Sequence, residues 1–126
     1  MIKTEPILAV EHVEKSSAWY QQLLSCKSAH GGAVFEILTD ENGIQILSLH
    51  KWGEHDHPTL TRSKKENGNG LILYFLVDDL NQIWKNAQKL NPVIEKEPHL
   101  NPNSGRMEFS IRDLDNYFIS ITSENN

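Results

Sequence analysis

Apolar and polar positions follow one programme twice along this chain. Pro6-Ile7-Leu8-Ala9-Val10 is a short apolar run of the kind a buried strand requires. From Val13 to Leu24, the apolar residues Val13, Ala18, Trp19, Tyr20, Leu23 and Leu24 recur at helical spacing, which predicts a helix with one buried and one wet face. Residues 34–38 and 44–49 alternate over part of their length around Glu41-Asn42-Gly43, which predicts two strands joined by a turn. The succession then returns. Residues 71–77 form an apolar run, and Leu80, Ile83, Trp84, Ala87 and Leu90 form a helical stripe opened by Asp78-Asp79 and stopped by Pro92. Residues 107–111 and 117–121 flank a turn at Leu114-Asp115-Asn116. Val10 and Val77 stand 67 positions apart and Asp40 and Asp113 stand 73 apart, so six inserted residues between helix and hairpin reconcile the copies. A period this long lies above the solenoid range and marks a duplicated half-domain. The expected organisation is one domain over residues 1–126, built from modules 1–51 and 70–126 with a connector at 52–69.

Composition narrows the classes open to such a chain. At 126 residues it can bury a sizeable core without staples. A single cysteine, Cys26, allows no internal disulfide and no cysteine-type zinc site, which suits a reducing compartment, and cytoplasmic localisation is the expectation. Net charge is −5, and the longest basic stretch is Arg62-Ser63-Lys64-Lys65, so no nucleic-acid partner is expected. No apolar run approaches the length of about 18 residues that spans a bilayer, so no membrane partner is expected either. His55-Asp56-His57 beside His50 resembles a ligand pair, but its spacing within a polar loop reads as solvated surface. His12, His30 and His99 read as surface histidines as well.

The apolar opening strand, the helix carrying Trp19-Tyr20 and Leu23-Leu24, Val77-Asp78-Asp79-Leu80, and above all the closing stretch from Gly105-Arg106 to Asp113-Leu114-Asp115-Asn116-Tyr117 carry a resemblance to a known family. They resemble the glyoxalase, bleomycin-resistance and ring-cleaving dioxygenase superfamily, the vicinal oxygen chelate proteins. Family members typically have Asp-Pro-Asp-Gly-Asn in that turn; here Leu114 replaces the proline, and Asn116 stands where left-handed backbone would favour glycine. The resemblance implies an α+β fold of two βαβββ modules, with mixed sheets curled around a cleft and helices on the convex side. It also implies a homodimer. In metal-dependent members four ligands come from the first and last strands of each module. Counting back five from the valine ending each opening strand gives Glu5 and Ile72, and counting from the aligned turns gives Leu47 and Ser120. Only Glu5 is a ligand for a divalent ion, so no metal and no cofactor are expected.

What remains is the cavity lining. If these positions point inward as their family equivalents do, alternation adds Ile7, Gln45, Leu49, Tyr74, Phe118 and Thr122. On the seventh strand, Gly105, Met107, Phe109 and Ile111 should face the helix, turning Arg106, Glu108, Ser110 and Arg112 toward the concave face or its rim. The expected ligand-binding set is thus Glu5, Ile7, Leu47, Leu49, Trp52, Ile72, Tyr74, Arg106, Glu108, Phe118 and Ser120. Bland readings stand beside it: Arg106 and Glu108 pair with each other on a wet sheet face, Tyr74 and Phe118 fill a closed core, and Trp52 caps the core. Two functions follow from the resemblance. One is a protein that sequesters an amphipathic or aromatic small molecule without metal, like the bleomycin-resistance branch. The other is a metal-dependent lyase, isomerase or dioxygenase with non-standard ligands, so whether the chain is an enzyme is left open.

Overall fold

A computed structural model describes residues 1–54, 59–61 and 68–124. The chain forms two compact units, residues 1–64 and 65–126, and each repeats one α+β plan. The first unit runs β1 (Ile7–Val10), α1 (Val13–Leu24), β2 (Lys27–Ser28), β3 (Phe35–Thr39) and β4 (Gln45–Lys51). The second runs β5 (Ile72–Val77), α2 (Leu80–Leu90), β6 (Ile94–Leu100), β7 (Met107–Arg112) and β8 (Phe118–Ser123). Each unit holds a four-stranded mixed sheet, in the orders β1-β4-β3-β2 and β5-β8-β7-β6, whose first strand pairs in parallel with its last. This is the βαβββ arrangement the resemblance implies.

The two hairpin turns share one device. Asp40 Oδ1 accepts the backbone N–H groups of Asn42 and Ile44, and Asp113 Oδ1 accepts those of Asp115 and Tyr117, all at 2.9 Å. The left-handed corner falls on Gly43 (φ 78°) in the first and on Asn116 (φ 70°) in the second, so asparagine does serve there in place of glycine. Helix ends repeat too: Ser25 and Asn91 are left-handed C-caps. At the start of α2, Asp79 accepts the N–H of Gln82 as its N-cap.

Two strands escape the sequence pattern. β2 is only two residues long, and β6 (Ile-Glu-Lys-Glu-Pro-His-Leu) is a largely exposed edge strand with register shifts and a proline. Neither buries a face that would impose alternation. In α1 the buried stripe runs through Ser16, Ser17, Trp19 and Tyr20, leaving Ala18 exposed.

A one-residue irregularity in the first hairpin decides which side chains meet the helix. Leu38 pairs with Leu47 but Thr39 pairs with Gln45, leaving Ile46 as an extra residue in β4. Such a bulge moves every later side chain to the opposite face from the one a simple count gives. Leu47 and Leu49 therefore share the helix-side face with Leu38 and Glu36 and are fully buried. The expectation that they line the open face is corrected: Ser48 and His50 turn that way, with Ile7 and Ala9 of β1 and Phe35 and Ile37 of β3. Gln45 does reach the open side, where its Nε2 donates to Ser48 Oγ at 3.0 Å. The second hairpin has no bulge, and its count holds. Phe109 and Ile111 are buried on the α2 side, Phe109 meeting Trp84 edge to face at 4.9 Å. Met107, expected with them, is 39% exposed at the strand's start.

Beneath α1 lies a carboxylate rather than a hydrocarbon. Glu36 is only 3% exposed. Its Oε2 accepts from the Ser17 hydroxyl of α1 and the Ser28 hydroxyl of β2, each at 2.8 Å. Its Oε1 accepts the N–H groups of Gly31 (2.8 Å), Ile37 (2.9 Å) and His30 (3.3 Å). Burial pushes its pKa up, but the hydrogen bonds from Gly31, Ser28, Ser17 and His30 outweigh that and hold it below the ordinary 4.5. Gly31 takes a left-handed backbone (φ 73°) that turns its N–H toward the carboxylate.

Two outcomes follow. Leu47→Ala should lower stability by about 2–5 kcal/mol in urea denaturation, as for a buried leucine, whereas Ile72→Ala, 55% exposed, should cost under about 1 kcal/mol; similar small losses would put Leu47 on the open face. Glu36→Gln should cost about 1.5–3 kcal/mol at pH 7. Because the folded-state pKa is depressed, the ionised group's contribution is fully present above pH 4.5 and fades as pH falls through the lower folded value. The gap between Glu36→Gln and the parent should therefore narrow below pH 4.5 in thermal melts.

Candidate functional site

Each sheet has a face without its own helix, and these faces carry most of the polar and aromatic groups picked out by the sequence. In the first unit, the six-residue segment between β2 and β3 folds back along the open face. With Ile7 of β1 and His50 of β4 it lines an open recess of about 490 Å³ whose other walls are His30, Ala33, Val34 and Phe35. The walls are largely hydrocarbon and ring. His30 stands edge-on to Phe35 with ring centres 5.1 Å apart, and Phe35 stands edge-on to His50 at 6.1 Å. Both imidazoles turn Nδ1 to backbone carbonyls: His30 to Gly31 (2.6 Å) and Phe35 (3.2 Å), His50 to Lys51 (2.8 Å).

In the second unit, the open face presents Ile72, Tyr74 and Leu76 of β5, which are 55%, 49% and 57% exposed. Beside them stand Phe118, Ser120 and Thr122 of β8 and Glu108, Ser110 and Arg112 of β7. Tyr74 Oη donates to Glu108 Oε2 at 3.2 Å, and Asn101 Nδ2 donates to Glu108 Oε1 at 2.9 Å. Glu108 is thus engaged by Tyr74 and Asn101, and its expected alternative partner Arg106 sits just before β7, where its backbone N–H donates to Ser104 Oγ. Burial, and then the Glu108 charge, push the Tyr74 phenol above its ordinary range, so it stays protonated and remains a donor at neutral pH. Ser110 and Ser120 share a buried hydrogen bond of 2.9 Å.

At one end of this face lies a second recess, of about 390 Å³, reaching from Gly68 to Phe118 past Ile72 and Arg112. There Arg112 lies over the Phe118 ring at 4.9 Å, with its Nε donating to Glu95 at 3.1 Å and its Nη1 to the Asn116 carbonyl. Tyr74 is thus half-exposed rather than filling a closed core, and Phe118 lies under the Arg112 guanidinium. Arg112, His30, Phe35 and His50 carry more of the sites than the expected set gave them. Strand alternation already turns Arg112 toward the concave face or its rim; for the other three the sequence signal was weak, a histidine before Gly31-Gly32 and strand positions around the bulge.

Glu5 is exposed and precedes β1, Ile7 is 49% exposed at the recess, and Trp52 follows β4, its backbone N–H directed to the Val10 carbonyl at 3.4 Å. His55 and His57 lie outside the described residues. The corrected register replaces Leu47 by Ser48 in the ligand positions that the resemblance implies, which become Glu5, Ser48, Ile72 and Ser120. One carboxylate, two hydroxyls and a hydrocarbon do not fit a divalent ion. Among the described residues, no group of three or more histidine, cysteine, aspartate or glutamate side chains converges to hold a metal. No helix among them is long and apolar enough to cross a membrane.

No family model matches the chain, and no curated protein matches it in sequence. Solved structures do match its fold along nearly the whole length. A protein of unknown function from Agrobacterium tumefaciens str. C58 aligns with a TM-score of 0.78 at 20% identity, covering 98% of this chain and 94% of its own. TioX from Micromonospora sp. ML1 aligns at 0.75 and 15% identity, covering 98% of both. A lactoylglutathione lyase from Agrobacterium tumefaciens aligns at 0.70 and 17% identity, covering 98% and 93%. The chain thus has a glyoxalase/bleomycin-resistance-like fold, shared with proteins of several kinds and many of unknown function.

Proposed function

We propose that this chain is a small-molecule-binding protein that sequesters an aromatic or amphipathic ligand without a metal. The observation that carries this reading is the recess of the first unit. Its volume of about 490 Å³ falls within the range of small-ligand sites, and hydrocarbon and ring walls with a few fixed polar atoms are the usual make-up of such sites. Phe35 is the central anchor, since it touches both imidazoles and contributes a face that loses little freedom on binding. The resemblance noted in the sequence supports the same class of function. A metal-dependent reaction is the weaker reading, because the family's ligand positions here offer only Glu5 as a good donor.

The anilinonaphthalene sulfonate dye, which brightens in apolar sites, should bind the native protein with a saturable fluorescence increase. Phe35→Ala should weaken that binding at least about tenfold, the effect of losing an aromatic anchor. No saturable increase, or one that Phe35→Ala leaves intact while circular dichroism shows the variant folded, would count against the recess as the binding site.

A further inference from the structure

We infer that the recess of the first unit selects planar aromatic molecules bearing an O–H or N–H donor, and that His30 is the residue that reads the donor. This rests on the proposed binding role and names the chemistry of the ligand. A carbonyl oxygen can only accept, so the approach of His30 Nδ1 to the carbonyls of Gly31 (2.6 Å) and Phe35 (3.2 Å) places the ring proton on Nδ1. In the neutral ring, Nε2 then carries a lone pair on the edge turned away from those carbonyls. His30 is itself a wall of the recess and is exposed.

Of the other side chains lining the recess, Ile7, Ala33 and Val34 offer no hydrogen-bonding atoms, Phe35 offers only its ring, and His50, whose Nδ1 also meets a carbonyl, is only 3% exposed. A ligand placed among them meets ring and branched aliphatic surface, which favours an apolar, aromatic body. Space is ample, since a cavity of about 150 Å³ accommodates benzene. The acceptor is also held in place before any ligand arrives. The N–H groups of His30 and Gly31 are both bonded to Glu36, and the ring is tied to the carbonyls on either side of the segment. A polar group fixed in this way discriminates without an ordering cost on binding.

The test uses phenol and its methyl ether, anisole, which share the ring and differ in the donor. Titrations of the isotope-labelled full chain should show saturable shifts at Ile7, Val34 and Phe35, with phenol about tenfold tighter than anisole. Phenol alone should shift the His30 Nε2 resonance in long-range proton–nitrogen spectra, a readout that needs no variant. His30→Phe, which keeps a ring in the wall, should bring the two affinities together. If both probes saturate the recess equally in the parent protein, the binding role stands and the assignment to His30 falls. A phenol preference that persists in His30→Phe overturns the assignment as well. If neither probe saturates at these residues, the assignment and the binding role fall together.

Discussion

The first half of this protein is organised around one buried carboxylate. Five donors converge on Glu36, and they come from four places: α1, β2, the segment after β2, and β3 itself. A buried charge is tolerated only when its hydrogen-bonding capacity is met in full, and here it is met by groups that must then stay where they are. Glu36 lies on the helix side of the sheet, yet by fixing the N–H groups of His30 and Gly31 it sets the path of the segment that walls the recess on the opposite side. The core and the candidate site are therefore linked through one side chain.

The duplication shows what is particular about this solution. By the repeat, Ser17 corresponds to Trp84 and Glu36 to Phe109. In the second unit that pair is an edge-to-face aromatic contact at 4.9 Å; in the first it is a hydroxyl donating to a carboxylate at 2.8 Å. Both join a helix to the third strand of the module. Only the polar version has spare acceptors, and these capture the backbone of the following segment. The aromatic version holds helix to sheet and goes no further. The second unit instead places its buried carboxylate, Glu108, on the open face, held by Tyr74 and Asn101. Two halves of one plan thus put their charge on opposite sides of their sheets.

Much of this was legible in the chain. The repeat gave both helices, six of the eight strands, the aspartate-centred turns and the left-handed role of Asn116. The signal failed where burial imposes no pattern: β2 is too short for one, and β6 is a wet edge. It failed differently at Ile46. A bulge adds one residue without changing composition, so counting from the turn assigned Leu47 and Leu49 to the face that Ser48 and His50 occupy. In the second closing hairpin, where β7 and β8 pair without a bulge, Tyr74, Phe118, Ser120 and Glu108 stand on the sheet face that the count assigns them. His30 was read as a surface histidine, and it is exposed; what the sequence could not convey is that Glu36 and two carbonyls give it one orientation beside Phe35.

Amide hydrogen exchange at Gly31 tests the role of Glu36 most directly. This N–H belongs to no helix or strand, and its bond is to the buried carboxylate. In the parent protein at pH 7 it should exchange at a rate close to that of the β3 amides, because opening it requires disrupting the same network. In Glu36→Gln it should exchange far faster while amides of β5 and β8 keep their rates. Rapid exchange of Gly31 in the parent protein would contradict a segment held by Glu36.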